Sequence, residues 1–184
     1  MPDDYERKRF PKSRIATQDV YSVGKQKHHV SALLEFDVTE VRRQLRELRR
    51  KGSPVSFNAW LITVISKVLT HHPEAAAYLN RKRSLLLFKE LRISMMVEKM
   101  IDGQRVPLPL VIENAAGKSA EEITRSIEKA REDHPVNRPV VSHRPATAGE
   151  RIYYHLPGFL RRAVWRILLR FPKLAFRTMG NVVI

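Results

Sequence analysis

The side chains best suited to acid–base or metal chemistry are the seven histidines. Their spacing argues against a metal centre. His28-His29 and His71-His72 are adjacent pairs, whose rings leave a strand or a helix in different directions. No His-Glu-x-x-His occurs and no carboxylate cluster has ligand spacing, so no metal is expected. The chain has no cysteine, which excludes a thiolate nucleophile, thiolate metal ligands and disulfides. It also has no Walker loop, no Gly-x-Gly-x-x-Gly and no Gly-x-Ser-x-Gly elbow. From residue types and spacing alone, no catalytic residue and no cofactor-binding residue is assigned.

The elements that would position a site are clearer. Leu91–Val97 reads as a strand, Asp102-Gly103 as a turn, and Arg105–Ile112 as a second strand. Pro107 and Pro109 cannot donate ladder hydrogen bonds, so the second strand should lie at an edge. Ser119 and Glu122 have capping-box spacing, ahead of Ile123, Ile127 and Ala130 on one helical face. Upstream, Val30–Phe36 reads as a strand, with Asp37 or Thr39 as the cap of the helix that follows. Val41, Leu45 and Leu48 form the apolar stripe of that helix, and Gly52 follows its last turn. Ser56 opens a broadly apolar helix, Phe57–Leu69, which Pro73 stops. Ala75–Leu79 suggests a short helical turn and Ser84–Phe88 a short strand.

Residues 1–27 read as a polar arm and 28–184 as one domain, with a loop or insert rich in proline, histidine and basic residues at about 133–149. After the insert, Phe159, Leu160, Val164, Ile167, Leu168 and Phe171 alternate with Arg161, Arg162, Arg166 and Arg170. Lys173–Met179 suggests one more turn closed by Gly180, and Asn181–Ile184 opens a strand. Helices and strands alternate irregularly, as in a layered mixed α/β or α+β domain.

Composition sets the class of partner. Hydrophobic residues make up 43% of the chain, enough for a globular core. Lys and Arg number 34 against 19 acidic residues, a net charge of +15. Such a field attracts phosphate-bearing ligands, nucleic acid or an anionic membrane surface. The basic amphipathic stretch near Phe159–Phe171 is expected to turn its apolar face into the core, with a membrane surface or nucleic acid as the alternative. No signal peptide and no run of about 18 apolar residues appears, which suggests a cytoplasmic protein.

Several stretches follow one another in a known order: His29–Thr39, Ser56-Phe-Asn-Ala-Trp-Leu61, His72-Pro-Glu74, Arg92–Val97, and Val106–Ile112 to Lys118-Ser119. Together they resemble the catalytic domain of the acyltransferases of 2-oxo-acid dehydrogenase complexes, which share the chloramphenicol acetyltransferase fold. The likeness covers roughly His28 to Arg131 and Gly180 to Ile184. It implies an α/β two-layer sandwich, with a mixed sheet and helices on one face. It also implies acyl transfer between a coenzyme A or lipoyl thioester and an acceptor, a site formed between subunits, and a trimer. In that family a histidine in His-x-x-x-Asp-Gly is the general base, and a hydroxyl steadies the oxyanion.

None of the seven histidines here has Asp-Gly at that offset. Asp102-Gly103 is the only such dipeptide, and Glu98 stands where the histidine would be. No catalytic residue is therefore carried over. Asn181–Ile184 is expected to be the strand leading toward the hydroxyl, with the histidine beyond Ile184. On this expectation the domain is incomplete at its C-terminal end and non-catalytic as given. A basic, non-enzymatic binding or scaffold protein is the alternative.

Overall fold

The computed structural model describes residues 15, 18–19, 21–22, 24–25, 28–80, 84–101, 104–132, 152–153 and 155–184. At the centre is a three-stranded mixed sheet of order β4-β3-β5. Strand β3 (Ile93–Ile101) is antiparallel to β4 (Gln104–Ile112) from Ile93↔Ile112 to Ile101↔Gln104. It is parallel to β5 (Val182–Val183) at Ile93↔Val182. Asp102 and Gly103, the expected turn, lie outside the described residues. Strand β4 is at an edge, as its prolines require. Pro107 and Pro109 are two residues apart, so both imide nitrogens point the same way, and an edge strand can turn them from the ladder. A separate pair, β1 (Tyr78–Leu79) and β2 (Leu85–Leu86), is antiparallel.

Two helices cover one face of the sheet. The sequence Ser119-x-x-Glu122 makes the reciprocal capping box that opens α3 (Ala120–Glu132). The Ser119 N–H donates to Glu122 Oε2 at 2.7 Å, and the Glu122 N–H to Ser119 Oγ at 3.2 Å. Helix α2 (Phe57–His71) is capped by Ser56 Oγ, which accepts from the Ala59 N–H, and a 3-10 turn (Pro73–Ala76) follows it. Ala59 and Ile62 of α2 meet Ile93, Met95 and Val97 of β3 and Ile123 and Ile127 of α3, all buried. The period-2 face of the strand and the helical stripes thus close one core. Thr124 joins the two helices. Its buried hydroxyl accepts the Ser56 N–H at 3.0 Å and donates to the Ala120 carbonyl at 2.8 Å.

Helix α1 (Thr39–Arg50) starts where Asp37 Oδ1 accepts the Thr39 N–H, and ends before Gly52 at φ 83°. It buries no residue completely; Leu45 leans on the core while Arg43 bonds to Glu40 and Glu47 at the surface. Two expectations fail in form. Ala75–Leu79 is not a helical turn throughout, because Tyr78 and Leu79 pair with β2. Val30–Phe36 forms no strand and pairs with none among the described residues, and Val30, Leu33, Leu34 and Phe36 are exposed. A strand needs a partner row of N–H and C=O groups, and the described residues offer that segment none.

After the insert come α4 (Gly158–Arg170) and α5 (Pro172–Met179), which pack on one another. Here the expected burial is reversed. Of α4 only Trp165 is buried, whereas Leu160, Val164 and Ile167 face outward. The opposite face is tied down by polar partners. Arg161 Nε donates to Asp19 Oδ2 at 2.7 Å, the Tyr153 hydroxyl donates to the same oxygen at 2.8 Å, and Trp165 Nε1 donates to the Tyr153 hydroxyl at 2.8 Å. Burial and the adjoining Asp19 push the Tyr153 phenol above its ordinary pKa.

Candidate functional site

The resemblance directs attention to β5 and the histidines. Strand β5 is placed by a tight junction. Gly180 sits at φ 74°, with the Arg92 carbonyl 2.3 Å from where a Cβ would be, so only glycine fits. Asn181 then clamps the start of the strand. Its Oδ1 accepts the Arg92 N–H at 2.9 Å, and its own N–H donates to the Arg92 carbonyl at 3.0 Å. The Ile184 N–H donates to the Ser94 carbonyl at 2.8 Å, which continues the parallel ladder. Tyr78 closes the junction from the small sheet by donating its hydroxyl to the Gly180 carbonyl at 2.5 Å, and burial raises its pKa.

Packed against this junction is a ring stack. The Phe88 ring centre lies 3.8 Å from that of Phe176 of α5, the rings stacked nearly parallel, and Phe88 is edge-on to Tyr78. The Arg92 guanidinium sits 5.1 Å from the Phe176 ring centre. It is held by Glu90 and Glu113, each at 3.1 Å. Two carboxylates satisfy that cation, so it is a positioning group and not an open anion site.

The histidines do not converge on this place. His28 and His29 lie on the exposed segment, with the His29 ring bonded to the Gly24 carbonyl at 3.1 Å. His71 ends α2 and His72 caps it, both exposed, and His155 is exposed before α4. His134 and His143 lie outside the described residues. Glu98 is exposed on β3, opposite Pro107, with Arg105 at 3.6 Å; it is a surface ion pair, with no sign of a base's environment. Among the described residues no group of three or more His, Asp or Glu could hold a metal ion. The sequence indicated β5 and Gly180, but not Tyr78 or Asp19. Neither has a local pattern, because each acts on a residue more than 100 positions away.

A mixed sheet backed by α2 and α3, with a parallel strand admitted beside β3, defines an α/β two-layer domain of the chloramphenicol acetyltransferase-like class. The family model of the 2-oxoacid dehydrogenases acyltransferase (catalytic domain) matches residues 3–137, and the chain belongs to that family. No curated protein matches it. Among solved structures it is similar to the dihydrolipoamide acetyltransferase of Azotobacter vinelandii, with TM-score 0.57 and 20% identity, over 71% of this chain and 57% of that one. A serine, a histidine and an asparagine have been studied for their role in the catalytic mechanism of that enzyme. A probable dihydrolipoamide acetyltransferase from Listeria monocytogenes 4b F2365 matches with TM-score 0.54 and 19% identity, over 71% and 58%. A truncated catalytic core of the 2-oxoacid dehydrogenase multienzyme complex from Thermoplasma acidophilum matches with TM-score 0.56 and 24% identity, over 70% and 61%. The chain therefore spans about three fifths of the length of these structures.

Proposed function

We propose that this chain is an acyl-thioester-handling domain, built to act on a coenzyme A or lipoyl thioester, and that its 184 residues alone do not supply the general base. One observation carries the reading: the sheet scaffold of the acyltransferase family is present, while each described histidine is exposed. The strongly basic surface suits a phosphate-bearing thioester such as that of coenzyme A. The segment with Val30, Leu33, Leu34 and Phe36 exposed supports self-association, with the trimer as the expected state. A second copy would pair the segment's backbone and cover its apolar side chains.

The test is thioester cleavage by the 184-residue protein across a panel of acyl-coenzyme A substrates. No turnover above the uncatalysed rate is expected. Turnover abolished by replacing any single histidine with alanine would overturn the proposal. Sedimentation equilibrium should show a trimer that Leu34→Asp dissociates, and a strictly monomeric protein would remove the self-association part.

A further inference from the structure

The helical hairpin α4–α5 lies beyond the residues that the family model matches. Leu160, Val164 and Ile167 recur at i, i+4 and i+7, with Phe171 continuing the row. At roughly 100° per residue they occupy an arc of about 60°. All are exposed: Ile167 at 56%, Val164 at 44% and Leu160 at 40%. Leu174 of α5 is 45% exposed as well. Arg170 lies about 60° round the helix from Ile167, with Arg166 and Arg162 each about 40° further round, all three exposed, and Lys173 and Arg177 of α5 are exposed too. No acidic residue occurs anywhere from 151 to 184.

The helix cannot roll to hide the row. Arg161 and Trp165, about 90° and 130° round the helix from the centre of the row, are bonded to Asp19 and Tyr153, so that flank is fixed to the fold and the row is held outward. An aliphatic row with a flanking basic row and no acidic residue is the pattern of a helix lying in a membrane interface. The aliphatic chains enter the acyl boundary while the arginines reach lipid phosphates along their apolar stems.

Other occupants fit less well. Nucleic acid would use the arginines but has nothing to cover leucine, valine and isoleucine. A two-fold contact with a second copy would set the arginines against themselves, and in the trimer proposed above the Val30–Phe36 segment supplies the contact instead. No described helix is long and apolar enough to cross a membrane, which leaves the surface mode.

We infer that the α4–α5 hairpin docks this protein on an anionic lipid surface, independently of any acyl transfer. The test is co-sedimentation of the full chain with phosphatidylcholine vesicles, with and without phosphatidylserine. Binding only to the anionic vesicles, weakening with salt, is expected. Val164→Ser with Ile167→Ser leaves the charge unchanged and should weaken that binding roughly tenfold or more, because each buried methylene contributes to insertion. Arg166→Glu with Arg170→Glu should abolish it. All four positions are exposed, so an unchanged thermal midpoint checks that each variant is folded. Absence of vesicle binding would overturn the inference. So would binding untouched by the serine pair, or a serine pair that instead dissolves a dimer. Duplex DNA binding that equals vesicle binding and ignores the serine pair would point to a polyanion site and also overturn it.

Discussion

Replacing Asp19 by alanine removes the acceptor on which α4 is anchored. The carboxylate is 6% exposed, and it takes Arg161 Nε at 2.7 Å and the Tyr153 hydroxyl at 2.8 Å. Breaking a buried ion pair by removing one partner costs about 3–5 kcal/mol when the survivor is fully buried. Arg161 is 18% exposed and keeps its bond to the Leu156 carbonyl at 2.6 Å, so water can reach part of the stranded charge. The loss should therefore fall below that range, at about 2–3 kcal/mol including the lost bond from the Tyr153 hydroxyl. Trp165, bonded to that hydroxyl, is the natural probe. The protein has two tryptophans, so Trp60→Phe isolates the signal. Urea unfolding followed at Trp165 should show the shift in midpoint at unchanged slope. Asp19→Leu with Arg161→Met removes both charges and should recover most of the loss, because the desolvation penalty disappears with the pair. A single-mutant loss below about 0.5 kcal/mol, within the range of an ordinary surface substitution, would refute the anchoring argument. So would a double mutant no better than Asp19→Ala.

Thr124→Val keeps the shape but strands the Ser56 N–H in the core, and should cost about 1–3 kcal/mol in urea unfolding. Gly180→Ala places a methyl 2.3 Å from the Arg92 carbonyl at a positive φ and should cost more than about 1 kcal/mol; hydrogen exchange at the Ile184 amide should accelerate with it. Glu40, held down at about 2 by the Arg43 guanidinium and then Gln44, should titrate near that value by carboxyl NMR. Its folded pKa lies below the ordinary 4.5, so its contribution is complete above 4.5 and is lost as pH falls toward 2. Arg43→Ala should return the titration toward 4.5.

The sequence was readable where structure is decided locally. Ser119 and Glu122 are three residues apart and bond to one another, so their spacing alone announces α3. Pro107 and Pro109 cannot enter a central strand, so the edge position of β4 follows from chemistry within the strand. Gly52 and Gly180 take the positive φ that no neighbour could. The order of such local signals was enough to place the chain in its family. The site was not readable in the same way. Ser56 meets Thr124 across 68 positions, Tyr78 meets Gly180 across 102, and Asp19 meets Arg161 across 142. None of these pairs has a spacing rule, because only the finished fold brings them together.

Helix α4 shows why periodicity could not decide burial there. Apolar side chains lie on two sides of it: Trp165 on one, Leu160, Val164 and Ile167 on the other. By hydrophobicity alone the second side is the better candidate for the core. The choice was instead made by hydrogen-bonding obligations. Arg161 and Trp165 carry N–H groups that, once covered, must find acceptors. Asp19 and Tyr153 supply those acceptors on one side only. An aliphatic row makes no such demand and can be left in water at a cost proportional to its area. The polar face therefore fixed the orientation, and the apolar face was left to meet whatever surface lies outside the chain. The same logic applies to Val30–Phe36, where the sequence pattern is that of an apolar strand but no strand among the described residues pairs with it.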